Sequence, residues 1–135
     1  MRIAEMLTRD AEVHGDRVAA AVVDGPRVTY VELLDRVRRL AGGLRAAGVG
    51  RGDRVALVAD AGLVYFDVYL AAAWIGAAVV PVNTRLAGPE VDYSVGHAEP
   101  ALAVADAAHL DLLPAGAPFP DVDCGSDAYA EMAAG

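Results

Sequence analysis

The stretch VALVADAGLVYFDVYLAAAWIGAAVVPV, residues 55–82, decides the fold class. Residues 55–59 and 77–82 are short, continuous apolar runs with the length and β-branched content of buried strands. Between them, residues 63–75 are long enough for a helix and apolar nearly all round, with Asp67 as their single charge. Gly76 separates this helix from the second run. Strand, helix and strand over so short a span predict a parallel pair joined by a right-handed crossover. All three pieces are expected to be buried.

Toward the N-terminus, residues 3–13 carry Ile3, Met6, Leu7 and Val13 among charges, the pattern of an amphipathic helix stopped at His14-Gly15-Asp16. Residues 18–23, the Asp24-Gly25-Pro26 turn and Val28-Thr29-Tyr30 spell an antiparallel hairpin. Thr29 and Glu32 then form a capping box, in which each side chain reaches the other's backbone N–H. Behind this start, Leu33, Leu34, Val37, Leu40, Ala41 and Leu44 recur at helical spacing until Gly48. Asp35, Arg36, Arg38, Arg39 and Arg45 lie largely opposite and read as a solvated face.

Toward the C-terminus the alternation makes one more turn. Pro89 suits a first helical position, with Glu90 and Asp92 in the first turn. Residues 102–105 are the next strand. Residues 114–127 are a loop-rich acidic stretch of Pro, Gly, Ala and Asp, followed by a helical tail over 128–134. No further strand is expected to cap the sheet. The whole of residues 1–135 reads as a single α/β segment: a layered mixed sheet with mainly parallel buried strands flanked by helices, an incomplete part of a larger N-terminal domain.

Bulk properties narrow the function classes. The chain has 135 residues, 56% of them hydrophobic, and a formal charge of −8. All eleven basic residues are arginines at or before Arg85, while Glu90 to Glu131 supply nine acids and no base. A nucleic-acid binder needs a basic stripe, so that role is excluded. The seventeen uncharged residues 68–84 fall short of the ~20 that span a bilayer and contain Gly76 and Pro81. Residues 1–15 carry charges and no apolar signal core. A cytoplasmic protein without a membrane span is therefore expected.

Few residues promise chemistry. Gly48-Val49-Gly50-Arg51-Gly52 resembles a phosphate loop, but it follows a helix and precedes a strand, the wrong order for anion binding at a helix N-terminus. With no lysine anywhere, a Walker loop is excluded, and no serine nucleophile elbow is present. His14, His97 and His109 lack partners at ligand spacing, so neither a catalytic group nor a metal site is assigned. His97 suits a helix C-terminus, and Cys124, the lone cysteine, reads as an unreactive thiol. Tyr65, Tyr69, Trp74 and Tyr93 read as core packing. Arg85 stands alone after a buried strand, where α/β sheets meet ligands, and is the one candidate for a phosphate or partner contact.

Two stretches together resemble the AMP-forming acyl-CoA synthetase superfamily, which also holds firefly luciferases and peptide-synthetase adenylation domains. They are VTYVELLDRVRRLAGGLRAAGVGRGDRVAL, residues 28–57, and YLAAAWIGAAVVPVNTRLAGPEVDYSVGHAEPALAVAD, residues 69–106. The Val82-Asn83-Thr84-Arg85-Leu86 version of the second block is closer to acyl-CoA ligases than to peptide-synthetase domains. The resemblance implies an N-terminal fragment of an acid:CoA ligase, which activates a carboxylate through an acyl-adenylate. ATP, Mg and CoA are implied for the complete parent enzyme, and no cofactor for this chain alone. The family's phosphate loop and both of its lysines have no counterpart here, so the chain is expected to be inactive alone. Arg85 matches the arginine that in some acyl-CoA ligases approaches the CoA nucleotide phosphates. The implied partner is the remainder of the ligase, or a complementary chain, at the unfinished sheet edge, with a tendency to self-association. The alternative is a stand-alone, non-catalytic binding or assembly module, such as one half of a split ligase.

Overall fold

Residues 3–86 and 88–135 are described by a computed structural model. Helix α1 (Ile3–His14) leads into a hairpin of β1 (Val18–Ala21) and β2 (Arg27–Thr29), which pair antiparallel as a separate two-stranded sheet. Helix α2 (Tyr30–Ala46) starts at the expected capping box. The Thr29 hydroxyl accepts from the Glu32 N–H at 3.2 Å, and Glu32 Oε1 accepts from the Thr29 N–H at 3.0 Å. It ends before Gly48, whose φ of 94° is the left-handed conformation that a helix stop demands.

The stretch at residues 55–82 folds as its pattern requires. Strand β3 (Arg54–Val58), helix α3 (Leu63–Trp74) and strand β4 (Ala78–Pro81) are followed by α4 (Gly88–Ala98) and β5 (Leu102–Ala105). The chain then runs through a 3-10 turn at Leu110–Leu112 into β6 (Asp121–Asp123) and helix α5 (Asp127–Ala134). The four strands β3 to β6 make a wholly parallel sheet in the order β4-β3-β5-β6. Alternation along β3 sends Val55 and Leu57 to one face, among Leu40 and Leu44 of α2 and Val68 and Ala71 of α3. Ala56 and Val58 face the other side, with Val91 and Val95 of α4. Two apolar layers thus sandwich one sheet.

Three expectations are corrected. A strand does follow β5: Asp121-Val122-Asp123 pairs with it in parallel, with Val122 buried against the core. Its length and its flanking acids gave no apolar run to read. Strand β4 is half-buried, because it is an edge with β3 as its only neighbour among the described residues. Helix α3 is buried on one side only, leaving Phe66 47% and Tyr69 40% exposed, since nothing among the described residues covers its outer face.

Helix α5 docks on α2 within the same core layer. The approach is so close that a Cβ on Gly43 would sit 1.9 Å from the Met132 carbonyl oxygen, so only glycine allows this contact. Where these helices meet α3, Asp67 is buried and accepts from Arg36 through Nε at 3.0 Å and through Nη2. Arg36 is thus a tie between α2 and α3, which corrects its reading as part of a purely solvated face. The Asp67 hydrogen bonds lead in holding the Arg36 pKa above its ordinary value. Nearby, the Tyr129 hydroxyl is buried with no hydrogen-bond partner among the described residues. Burial, then the Asp67 charge, pushes that phenol well up.

Candidate functional site

Because β3 to β6 are parallel, their carboxyl ends share one edge of the sheet. Asp60 follows β3, Asn83 to Arg85 follow β4, Asp106 follows β5 and Cys124 follows β6. The chain leaves β3 to build β4 on one side and then β5 on the other, so strand order reverses around β3. In open α/β sheets such a reversal opens a crevice at the carboxyl ends, the usual place for a ligand.

Asp60 and Asp106 stand at that crevice and are joined by His109. One Asp106 oxygen, Oδ2, accepts from the Asp60 N–H at 2.9 Å. The other, Oδ1, accepts from the His109 N–H at 3.0 Å and meets the ring Nδ1 at 2.6 Å. An ionised carboxylate can only accept, so Nδ1 carries the proton in this pairing. His109 Nε2 then faces Asp60 Oδ1 at 4.0 Å. Burial pushes the Asp106 carboxyl up, but donation from the Asp60 backbone and the His109 ring outweighs it and holds the group below its ordinary value. Asp106 therefore staples the loop after β3 to the loop after β5.

This corrects the expectation that no histidine has carboxylate partners at ligand spacing. Among the described residues, Asp60, Asp106 and His109 bring ligand atoms within 4.8 Å of one another. Asp106 is engaged with the imidazole, so any cation held here would have Asp60, which is exposed, and His109 Nε2 as its open ligands. The grouping was illegible in the sequence because Asp60 and Asp106 are 46 positions apart. Only the Asp106 to His109 spacing was a local signal.

Arg85 lies on the β4 side of β3, away from this staple. It is exposed in a turn whose Asn83 Oδ1 accepts from the Arg85 N–H at 2.9 Å. Its guanidinium forms no ion pair among the described residues. The turn fixes the backbone and leaves the charged fork in solvent.

The remaining candidates fall into scaffold roles. In the glycine-rich loop, the Gly50 N–H already donates to Asp53 Oδ2 at 2.7 Å, and Gly52, with φ of 83°, completes a turn into β3. Cys124 is half-buried, and burial followed by the charges of Asp106 and Asp123 raises its pKa, as an unreactive thiol requires. Of the aromatic residues, Tyr65 donates to the Ala59 carbonyl at 2.8 Å and packs against the core. Tyr69 and Tyr93 depart from the core reading. Tyr69 stacks on Tyr65 at the surface, and Tyr93, 74% exposed, stacks on His97 in the last turn of α4.

Residues 7–130 match the family of AMP-binding enzymes. The chain belongs to that family. It is 42% identical over 89 residues to a long-chain-fatty-acid–CoA ligase of Thermus thermophilus, a match covering 66% of this chain and 16% of the relative. It is 40% identical over 91 residues to a feruloyl-CoA synthase of an Amycolatopsis species, covering 67% of this chain and 18% of that enzyme. Among solved structures, a Mycobacterium tuberculosis fatty acyl CoA synthetase superposes with a TM-score of 0.84 at 29% identity. That likeness covers 98% of this chain and 28% of the synthetase. The N-terminal domain of FACL13 from the same organism gives a TM-score of 0.86 at 29% identity, covering 98% of this chain and 36% of that one. The chain thus spans less than a fifth of the curated relatives quoted and corresponds to a part of the N-terminal region of AMP-forming CoA ligases. No helix among the described residues is long and apolar enough to cross a membrane.

The residues present do not fit a nucleotide–phosphate cradle on their own. Such a cradle needs preorganised N–H donors and cations aimed at phosphates. At the carboxyl edge the described residues instead place Asp60 and Asp106 in the crevice, and the sequence holds no lysine.

Proposed function

We propose that this chain is the first α/β portion of an AMP-dependent acid:CoA ligase, supplying scaffold and one CoA contact while the remaining chain supplies the chemistry. The observation that carries the reading is the agreement of the parallel sheet and both sequence blocks with CoA ligases across nearly the whole chain. The complete enzyme would use ATP, Mg and CoA, and the names of its relatives point to a fatty or aromatic carboxylic acid as substrate. Alone, the chain does not activate an acid, because it holds neither a phosphate loop nor a lysine. Arg85 is the residue assigned to the CoA nucleotide phosphates, and its exposed, unpaired fork suits a bidentate contact. The partner is the rest of the ligase, seated on the uncovered α3 face and on the sheet edge at β4.

A second reading, a non-catalytic binding or assembly module, draws on the same exposed Phe66 and Tyr69. The two part in a graft. Placed in frame for the equivalent segment of the Thermus thermophilus ligase, this chain should sustain acyl-CoA formation. In that graft, Arg85→Gln should raise the KM for CoA about tenfold, as loss of a charge-assisted contact requires, and leave adenylate formation unchanged. A folded graft that forms no acyl-adenylate would favour the module, and an unchanged KM would remove Arg85 from the CoA site.

A further inference from the structure

A separate cleft of about 450 Å³ opens at the opposite, amino-terminal edge of the sheet. Its walls come from the start of α1 at Ile3 and Ala4, the last turn of α2 at Arg45, the turn before β3 at Arg51, and the end of α3 at Trp74. Among the described residues, no acidic one lines it. Arg45 and Arg51 are exposed, and neither forms an ion pair among the described residues. Trp74 is half-buried and packs against the core from one side.

The placement of Arg51 is built in. Gly76 takes φ of 79°, and a Cβ there would come within 3.1 Å of Arg51 Cγ, so the arginine stem lies over a position that glycine keeps clear. Arg45 taken alone is explained by its place at a helix C-terminus, where a cation is favoured. That does not account for a second guanidinium and an indole lining the same cleft. Of the carbonyls at the end of α3, those of Ala71, Ala72 and Ala73 already accept from Ile75, Gly76 and Ala77.

We infer that this cleft binds a small organic anion in which a phosphate is joined to a flat apolar group. Two guanidinium forks match the several oxygens of a phosphate better than one carboxylate, and the indole face offers stacking to a ring. The site is independent of the ligase reading, because it lies at the other edge of the sheet from Arg85 and the Asp60–Asp106 crevice.

Trp74 is the sole tryptophan of the chain and borders both this cleft and the adjoining groove at Glu5 and Glu12, so the Arg45 and Arg51 variants are what assign a change in its emission to this cleft. Phenyl phosphate titrated into the full chain should quench or shift that emission saturably. Arg45→Gln and Arg51→Gln, each checked for an unchanged circular dichroism spectrum, should each raise the half-saturating concentration about tenfold. Phenol and inorganic phosphate, each carrying one half of the ligand, should bind far more weakly than the joined molecule. Non-saturable quenching, equal response to phenol, or half-saturation unmoved by both arginine variants would overturn the assignment.

Discussion

Replacing Gly43 by alanine sets two effects of opposite sign against each other. In an isolated helix the change is stabilising by about 1 kcal/mol, because alanine loses less backbone freedom and glycine is a poor helix former. In this fold the new methyl would lie 1.9 Å from the Met132 carbonyl oxygen and 2.6 Å from its carbon. Backbone of a docked helix cannot swing aside as a side-chain tip can, so α5 must lift. Overpacking of this kind costs about 1 to 3 kcal/mol. Lifting α5 would also expose Tyr129, now 9% exposed, whose burial is worth a further ~1.5 to 3 kcal/mol. The two costs are alternatives more than a sum, since lifting relieves the clash. The net expectation is a loss of up to about 2 kcal/mol after the helix gain is subtracted. Gly42→Ala is the internal control: its Cβ would meet Gly135 oxygen at an ordinary 3.5 Å, so it should keep most of the helix gain. Urea unfolding of both variants measures the difference, and amide exchange over residues 127–134 locates it. A Gly43→Ala protein as stable as Gly42→Ala, with α5 equally protected, would refute the docking.

Other outcomes follow from the polar contacts. Arg36→Met leaves the buried Asp67 without its partner and should cost about 1 to 3 kcal/mol, less than a fully buried pair because Arg36 is 44% exposed. Adding Asp67→Leu should recover part of that loss in a double-mutant cycle read by denaturation. Tyr129→Phe removes a buried hydroxyl that has no partner among the described residues, so its unfolding midpoint should hold or rise, and a clear fall would show that the hydroxyl is satisfied. Asp106 has a folded pKa below its unfolded value, so its stabilisation is present above the ordinary value of about 3.9 and is lost as pH falls through the folded value. Melting followed from about pH 6 to pH 2 should therefore show a shallower acid decline in Asp106→Asn than in the parent.

The fold was legible where local physics and tertiary need agree. The apolar runs of β3 and β5 and the Thr29–Glu32 box carry their instructions within a few residues, and each appears where the pattern puts it. Strand β6 was not legible, because Asp121-Val122-Asp123 is a strand only by virtue of the β5 edge beside it. The outer face of α3 misled for the opposite reason: apolar residues all round a helix signal burial, but among the described residues Phe66 stays 47% exposed and Tyr69, stacked only on its own helix neighbour Tyr65, 40% exposed. Arg36 looked like one of several surface arginines, since its partner lies 31 positions away. The candidate site divides along the same line. Arg85 could be found from its place after an apolar strand, while the Asp60–Asp106–His109 staple exists only once β3 and β5 are paired.

The central claim is that this chain gives a ligase its scaffold without its chemistry, and exchange of labelled pyrophosphate into ATP tests it most directly. The 135-residue chain, incubated with ATP, Mg and a panel of fatty and aromatic carboxylates, is expected to show no exchange above the enzyme-free blank. Acid-dependent exchange by the purified chain, lost on heat denaturation, would contradict the account.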